Sequence, residues 1–219
     1  MTLSLSALTG STSLARRERV AMCDTALAVG EDAPTLCGDW TAKQLVEHCL
    51  VREHSPLGAT GIAVPGLEVL TEKAMERVGR RDFAVLVERL RRPGLTPYAL
   101  PPVDVAFNTL EYFVHHEDLR RAQPGWEPRE LSESDRSRLW RAIRLGGRGL
   151  VRPAGVPVRI ERSDTDAHAT LRRGDDPVVV RGLPSELVMF LFGRAEFRDV
   201  EFSGPPDRIA ALRRAELGF

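Results

Sequence analysis

The chain has 219 residues, 31 basic and 31 acidic, with a formal net charge of zero and 42% hydrophobic residues. That length suits one large domain or two small ones, and the balanced charge gives no pull toward nucleic acid or an anionic membrane. Three cysteines, an odd number without a CxxC spacing, suggest neither a disulfide framework nor a thiolate zinc knuckle, and no run approaches about 18 apolar residues, so a cytoplasmic chain that does not span a membrane is expected.

The start, "MTLSLSALTGSTSLARRERV", lacks a basic leader followed by a long apolar stretch and does not read as a signal peptide. "SLARRERVAMCDTALAVG" predicts a first helix stopping at Gly30, and "EDAPTLCGDW" a loop. Thr41, with Gln44 three residues on, has the form of a capping box opening a second helix through "TAKQLVEHCLVREHSP". The glycines and proline of "LGATGIAVPG" predict a link. Helical pattern resumes from about Leu67 to Leu90, with a break near "GRRD", and "RRPGLTPYALPP" reads as a loop. Further helices are expected over Val103 to Arg121 and over Ser132 to Val151.

After Pro153 the pattern changes. "VPVRIERS", "AHATLRR" and "RDVEFSG" alternate apolar with polar residues, and "PVVVRG" is a β-branched run, all consistent with short strands. "PSELVMFLFGR" and "PPDRIAALRRAELGF" read as helices with proline near their starts. The expected class is α+β, with a helical unit over 1–153 and a small α/β unit over 154–219.

Four of the five histidines, His48, His54, His115 and His116, lie in the helical part. In "EYFVHHEDLRRA", Glu111 and His115 stand at i, i+4, on one face one turn apart, a spacing that suits two ligands of one metal. His116 points elsewhere. His48 on the second helix could supply a third ligand across a bundle, giving two nitrogens and a carboxylate with an open fourth position. The same spacing also suits a surface ion pair, and a histidine among apolar residues is often simply buried. Arg52 shares the face of His48. Cys49 points away from it and is expected in the core, with Phe107, Tyr112 and Phe113. Arg120 and Arg121 suit either a ligand carboxylate or a solvated helix end.

"LCGDWTAKQLVEH" resembles the second-helix signature of the DinB-like, mycothiol-dependent maleylpyruvate isomerase superfamily, through Trp40, Thr41, Leu45 and His48. "NTLEYFVHHEDLRRA" resembles its later segment, through Glu111, His115, His116, Asp118 and Leu119. "DDPVVVRGLPSELVMFLFGR" is similar to its small C-terminal domain. The overall pattern is nearest to an actinobacterial subgroup of metal-binding proteins. The resemblance implies an N-terminal four-helix bundle with an added helix, followed by a small α/β domain. It implies His48, Glu111 and His115 as ligands of a divalent metal, zinc first, with mycothiol as possible cosubstrate.

In such a protein the cation holds a thiol as thiolate for attack on a small electrophile, in a transferase or isomerase reaction. Asp118 is expected behind the ligands, accepting from His48 or orienting an arginine. His116, Arg52 and Arg194 are further candidates for supporting the ligands or touching substrate. The expected partners are a small thiol and an electrophile, not nucleic acid or a membrane. A non-enzymatic metal- or ligand-binding protein, a sensor or storage module, stands as the alternative. It would be favoured by a closed coordination sphere using His116 or Asp118.

Overall fold

The computed structural model describes residues 13–63, 66–92, 94 and 108–218. Helix α1 spans Leu14–Val29, and its first turn is closed by the Ser13 hydroxyl, which accepts from the amide of Arg16. Helix α2, Ala42–His54, opens on the reciprocal capping box of Thr41 and Gln44. Helices α4, Glu68–Gly79, and α5, Phe83–Arg91, are separated at the expected break, where the Asp82 carboxylate caps the amides of Ala84 and Val85.

Between α2 and α4 the expected link is instead a short helix, α3, Pro56–Ala63. The glycines that suggested a linker are there for close approach. A Cβ on Gly61 would sit 2.3 Å from the Leu67 carbonyl oxygen, so only glycine lets this helix lie so tightly against the start of α4. Residues 103–107, the predicted beginning of the next helix and the site of Phe107, lie outside the described residues, as does most of the preceding loop.

Helix α6, Thr109–Arg121, is followed by α7, Glu133–Leu150, capped by Ser132. A 3-10 turn, Arg152–Ala154, leads into β1, Val158–Arg162, then β2, His168–Arg172, and β3, Val178–Gly182. Helix α8, Pro184–Leu191, strand β4, Glu201–Ser203, and helix α9, Pro206–Arg214, complete the chain. The sheet order is β2-β1-β3-β4. β1 pairs parallel with β3 in the register Val158 to Val178, and the two outer pairings are antiparallel. Alternation along β1 and β3 buries Val158, Ile160, Val178 and Val180 against the helices. Among the described residues no helix is long and apolar enough to cross a membrane.

Two apolar clusters make the core. One joins Leu45, Leu50, Leu86 and Leu90 from α2 and α5 with Met22 of α1. The other joins Leu139 and Ile143 of α7 with the sheet and α8. Helix α6 feeds both: Tyr112 and Leu119 enter the first, while Leu110, Phe113 and Val114 enter the second. A helix committed on two sides has little surface left for its polar residues. His115, His116, Glu117, Asp118 and Arg121 are all buried with it.

Each of those groups is paired. Arg121 donates to Glu117 of its own helix at 2.5 Å and, through both terminal nitrogens, to Glu186 of α8 at 2.7 Å. Neither a solvated helix end nor a free anion site, the two roles expected for Arg121, describes this. It fastens α6 to the sheet side of the molecule. Removing one partner of such a buried pair strands the other charge in a low-dielectric interior. Arg121→Ala is therefore expected to cost about 3–5 kcal/mol in urea denaturation. Arg181→Ala, which removes the exposed pair with Glu201, is expected to cost below about 1 kcal/mol.

Candidate metal centre

The site assembles where α2, α6 and the loop of residues 31–40 meet. The loop is pinned by an antiparallel bridge of Pro34 with Thr41 and by the Leu36 amide, which donates to the carbonyl of Asp118. The Thr35 hydroxyl closes it, donating to the Trp40 carbonyl at 2.8 Å and accepting from the Cys37 amide. These bonds set Trp40 and Cys37 on either side of the α2–α6 seam. The Trp40 ring lies 5.1 Å from the His48 ring, and the His48 ring lies edge-on to His115 at 5.3 Å.

The structure brings His48, Glu111 and His115 together: one donor atom from each lies within 4.8 Å of the others. Helical spacing accounts for the pair on α6, with His115 Nε2 3.5 Å from Glu111 Oε2. The seam between α2 and α6 supplies the third member. Two observations fit a divalent cation here. Nδ1 of His48 is buried without a hydrogen-bond partner, and burial together with the nearby His115 brings the His48 pKa down to about 3, leaving a neutral imidazole. Burial works against the Glu111 carboxylate, yet the hydrogen bond from His115 and the charge of Arg52 outweigh it and bring its pKa down to about 2.

Behind these three lies a second layer. Asp118 Oδ2 stands 3.0 Å from His115 Nδ1. A carboxylate only accepts, so Nδ1 carries a proton, and Nε2, turned toward Glu111, is the nitrogen that would give up its proton to a cation. Asp118 therefore serves His115, not His48. Burial opposes the charge on both groups. Hydrogen bonds to Arg194 and His115 nevertheless hold Asp118 well below the usual carboxylate range. The bonds to Asp118, Cys37 and Glu111 raise His115 well above its ordinary value.

Arg194, from the turn after α8, grips both oxygens of Asp118 at 2.6 and 2.8 Å. Arg52 plays the matching part for Glu111: its Nε is 3.6 Å from Oε2, while Nη2 donates to Asn108 at 2.8 Å. Each carboxylate of the site thus faces one guanidinium.

The other expectations divide. His116 is turned away from the cluster, with Nδ1 2.7 Å from Glu18 and Nε2 3.1 Å from the Thr25 hydroxyl, so it ties α6 to α1. Cys49 is buried and its thiol is pushed up to about 11, consistent with a core residue. Arg120 pairs with Glu117. Cys37 was not singled out, yet its Sγ is 3.0 Å from Asp118 Oδ2 and 3.5 Å from Arg194 Nη2. With His115 and Asp118 it makes a second close group. The loop signature "LCGDW" carries Cys37 three residues before Trp40, but nothing in that spacing shows that the loop folds back over α6. Asn108 and Glu18, both buried supports, were likewise silent in the sequence.

His48→Ala and His115→Ala are each expected to lose most of the metal retained by the wild-type chain in elemental analysis, and His116→Ala to keep it. Asp118→Ala leaves the ligands in place and removes the acceptor that orients His115. Its metal affinity should fall about 10- to 100-fold in competition with a chelating dye.

No protein-family model matches the chain, and no curated protein matches it. Among solved structures, the chain is similar to the crystal structure of the mycothiol-dependent maleylpyruvate isomerase and to that of a histidine-to-alanine mutant of the same enzyme. Each aligns with a TM-score of 0.59 over 87% of this chain and 90% of the other, at 16% identity. At that identity the similarity is one of backbone architecture. It extends through both the helices and the sheet, and the chain has the DinB-like, maleylpyruvate isomerase-like fold.

Proposed function

We propose that this chain holds a divalent cation, zinc first, through His48, Glu111 and His115, and uses it to present mycothiol to a small electrophile in a transferase or isomerase reaction. The observation that carries the reading is the division of labour around His115. Three donors converge on one point, and the remaining candidates face away from it. His116 is spent on Glu18 and Thr25, and Asp118 is spent on Arg194, Cys37 and the far nitrogen of His115. Among the described residues no further donor turns to that point, which suits an enzyme with an open position better than a closed storage site. The solved enzyme of the same fold is described as mycothiol-dependent, which supports the choice of thiol.

Bound here, a dication supplies positive charge that the balanced pairs Arg52–Glu111 and Arg194–Asp118 do not offset, and with it the Lewis acidity that keeps a thiol as thiolate. The chain's own residues prepare the position. Asp118 keeps the proton of His115 on Nδ1 and so fixes which nitrogen coordinates. Arg52 holds the Glu111 carboxylate ionised and oriented. The Trp40 ring covers one side of His48 and shields it from water. Both terminal arms of the Arg194 fork are engaged, by Asp118 and by the Phe192 carbonyl at 2.8 Å, so its part is to draw the turn after α8 onto the site. Of the two roles expected of it, supporting the ligands or touching substrate, these contacts favour the first.

The test uses cobalt(II)-loaded protein and mycothiol with a panel of electrophiles that includes maleylpyruvate, an epoxide and an alkyl halide. The visible spectrum should gain a thiolate charge-transfer band on adding thiol. With at least one electrophile, thiol should be consumed or the electrophile isomerised, and both effects should vanish in His115→Ala. A spectrum indifferent to thiol, together with no turnover across the panel, sinks the proposal.

A further inference from the structure

On another part of the molecule, α7 and β2 meet at a cleft of about 350 Å³ lined by Arg144, Arg148, His168, Ala169, Thr170 and Arg173. The sequence "RLGGRGL" explains how it forms. Arg144, Gly147 and Arg148 share one helix face by i, i+3 and i+4 spacing. A Cβ on Gly147 would lie 3.0 Å from the Leu171 side chain, tighter than ordinary contact, so glycine lets β2 come in close against that face. The two arginines then flank the contact. β2 is an edge strand, so one side of its backbone has no strand to pair with.

The ionisable residues of the lining are all basic. Like charges one turn apart on a helix repel. Elsewhere the chain neutralises many of its arginines with carboxylates, as at Arg17, Arg19, Arg91, Arg136 and Arg162. Among the described residues no carboxylate pairs with Arg144, Arg148 or Arg173. Three arginines and a histidine therefore line one concavity on a molecule of zero net charge.

We infer that this cleft is a binding site for a small phosphate-bearing anion at the level of a diphosphate. Guanidinium forks match phosphate oxygens in pairs. A diphosphate concentrates several negative charges in a small volume, whereas each carboxylate brings one. The cleft is small, about 350 Å³, which argues for a small ligand over a nucleic acid. The site is independent of the metal centre.

Titration of the full-length chain with inorganic pyrophosphate by calorimetry at low ionic strength tests this. One pyrophosphate per chain is expected, with citrate binding more weakly. The double variant Arg144→Gln/Arg148→Gln should raise the Kd about tenfold or more, the loss expected of charge-assisted hydrogen bonds. The exposed control pair Arg16→Gln/Arg77→Gln removes the same charge elsewhere and should leave the Kd within about twofold. Metal content equal to wild type in both variants shows that the fold survives. No saturable binding, an equal loss in the control variant, or tighter binding of citrate would each overturn the assignment. So would a DNA duplex that binds and is not displaced by pyrophosphate.

Discussion

The structure is organised by the burial of α6. Its apolar residues serve two clusters on different sides, so the helix has no free face on which to keep its ionisable groups in water. A buried charge without a partner is far more expensive than any contact it displaces. Each neighbouring element therefore brings a counter-group: α1 brings Glu18, α2 brings Arg52, α8 brings Glu186, and the turn after α8 brings Arg194. Arg129, from the segment before α7, bridges Glu18 and Glu117 at 2.9 and 2.6 Å. The arrangement of the fold around this helix can be read as the solution to that one electrostatic requirement.

The same constraint divides the helix into two chemical sides. On one, Glu117, Arg121 and His116 are closed into networks that leave no position for a ligand. On the other, Glu111 and His115 are each held by a partner on their outer side, and their remaining donor atoms turn toward His48. Two neighbouring histidines with equal side-chain chemistry thus end in different roles because they face different neighbours. A buried polar network specifies geometry only when it is fully satisfied, and here satisfaction on one side is what frees donors on the other.

Local signals in the sequence located most elements. The capping box at Thr41, the proline starts of α8 and α9, and the alternation in β1 and β3 are interactions between near neighbours, and near neighbours are what a sequence displays. The i, i+4 pair of Glu111 and His115 was legible for the same reason. The helix α3 was not, because its glycines serve contact with α4, and contact partners are invisible in a one-dimensional pattern. Asp118 could be flagged as an acidic residue near the histidines, but its true partners, Cys37 and Arg194, come from far along the chain on either side. Arg121 was ambiguous until Glu186 arrived beside it. What the sequence withheld was closure between distant segments, not chemistry.

The outer layer at Asp118 also has a consequence for how the site comes into being. Its three contributors, Cys37, Asp118 and Arg194, are separated by most of the chain, and bringing together such distant segments carries the loop-closure entropy that makes long-range contacts form late. The three central donors, by contrast, are all made before residue 116. During synthesis the donors emerge first, without the guanidinium that later locks the carboxylate behind His115. A chain caught at that stage would have the three donors without the lock behind His115, which arrives only with the turn after α8. The lock on His115 is then a property of the finished topology, made only when residues far apart along the chain have found each other.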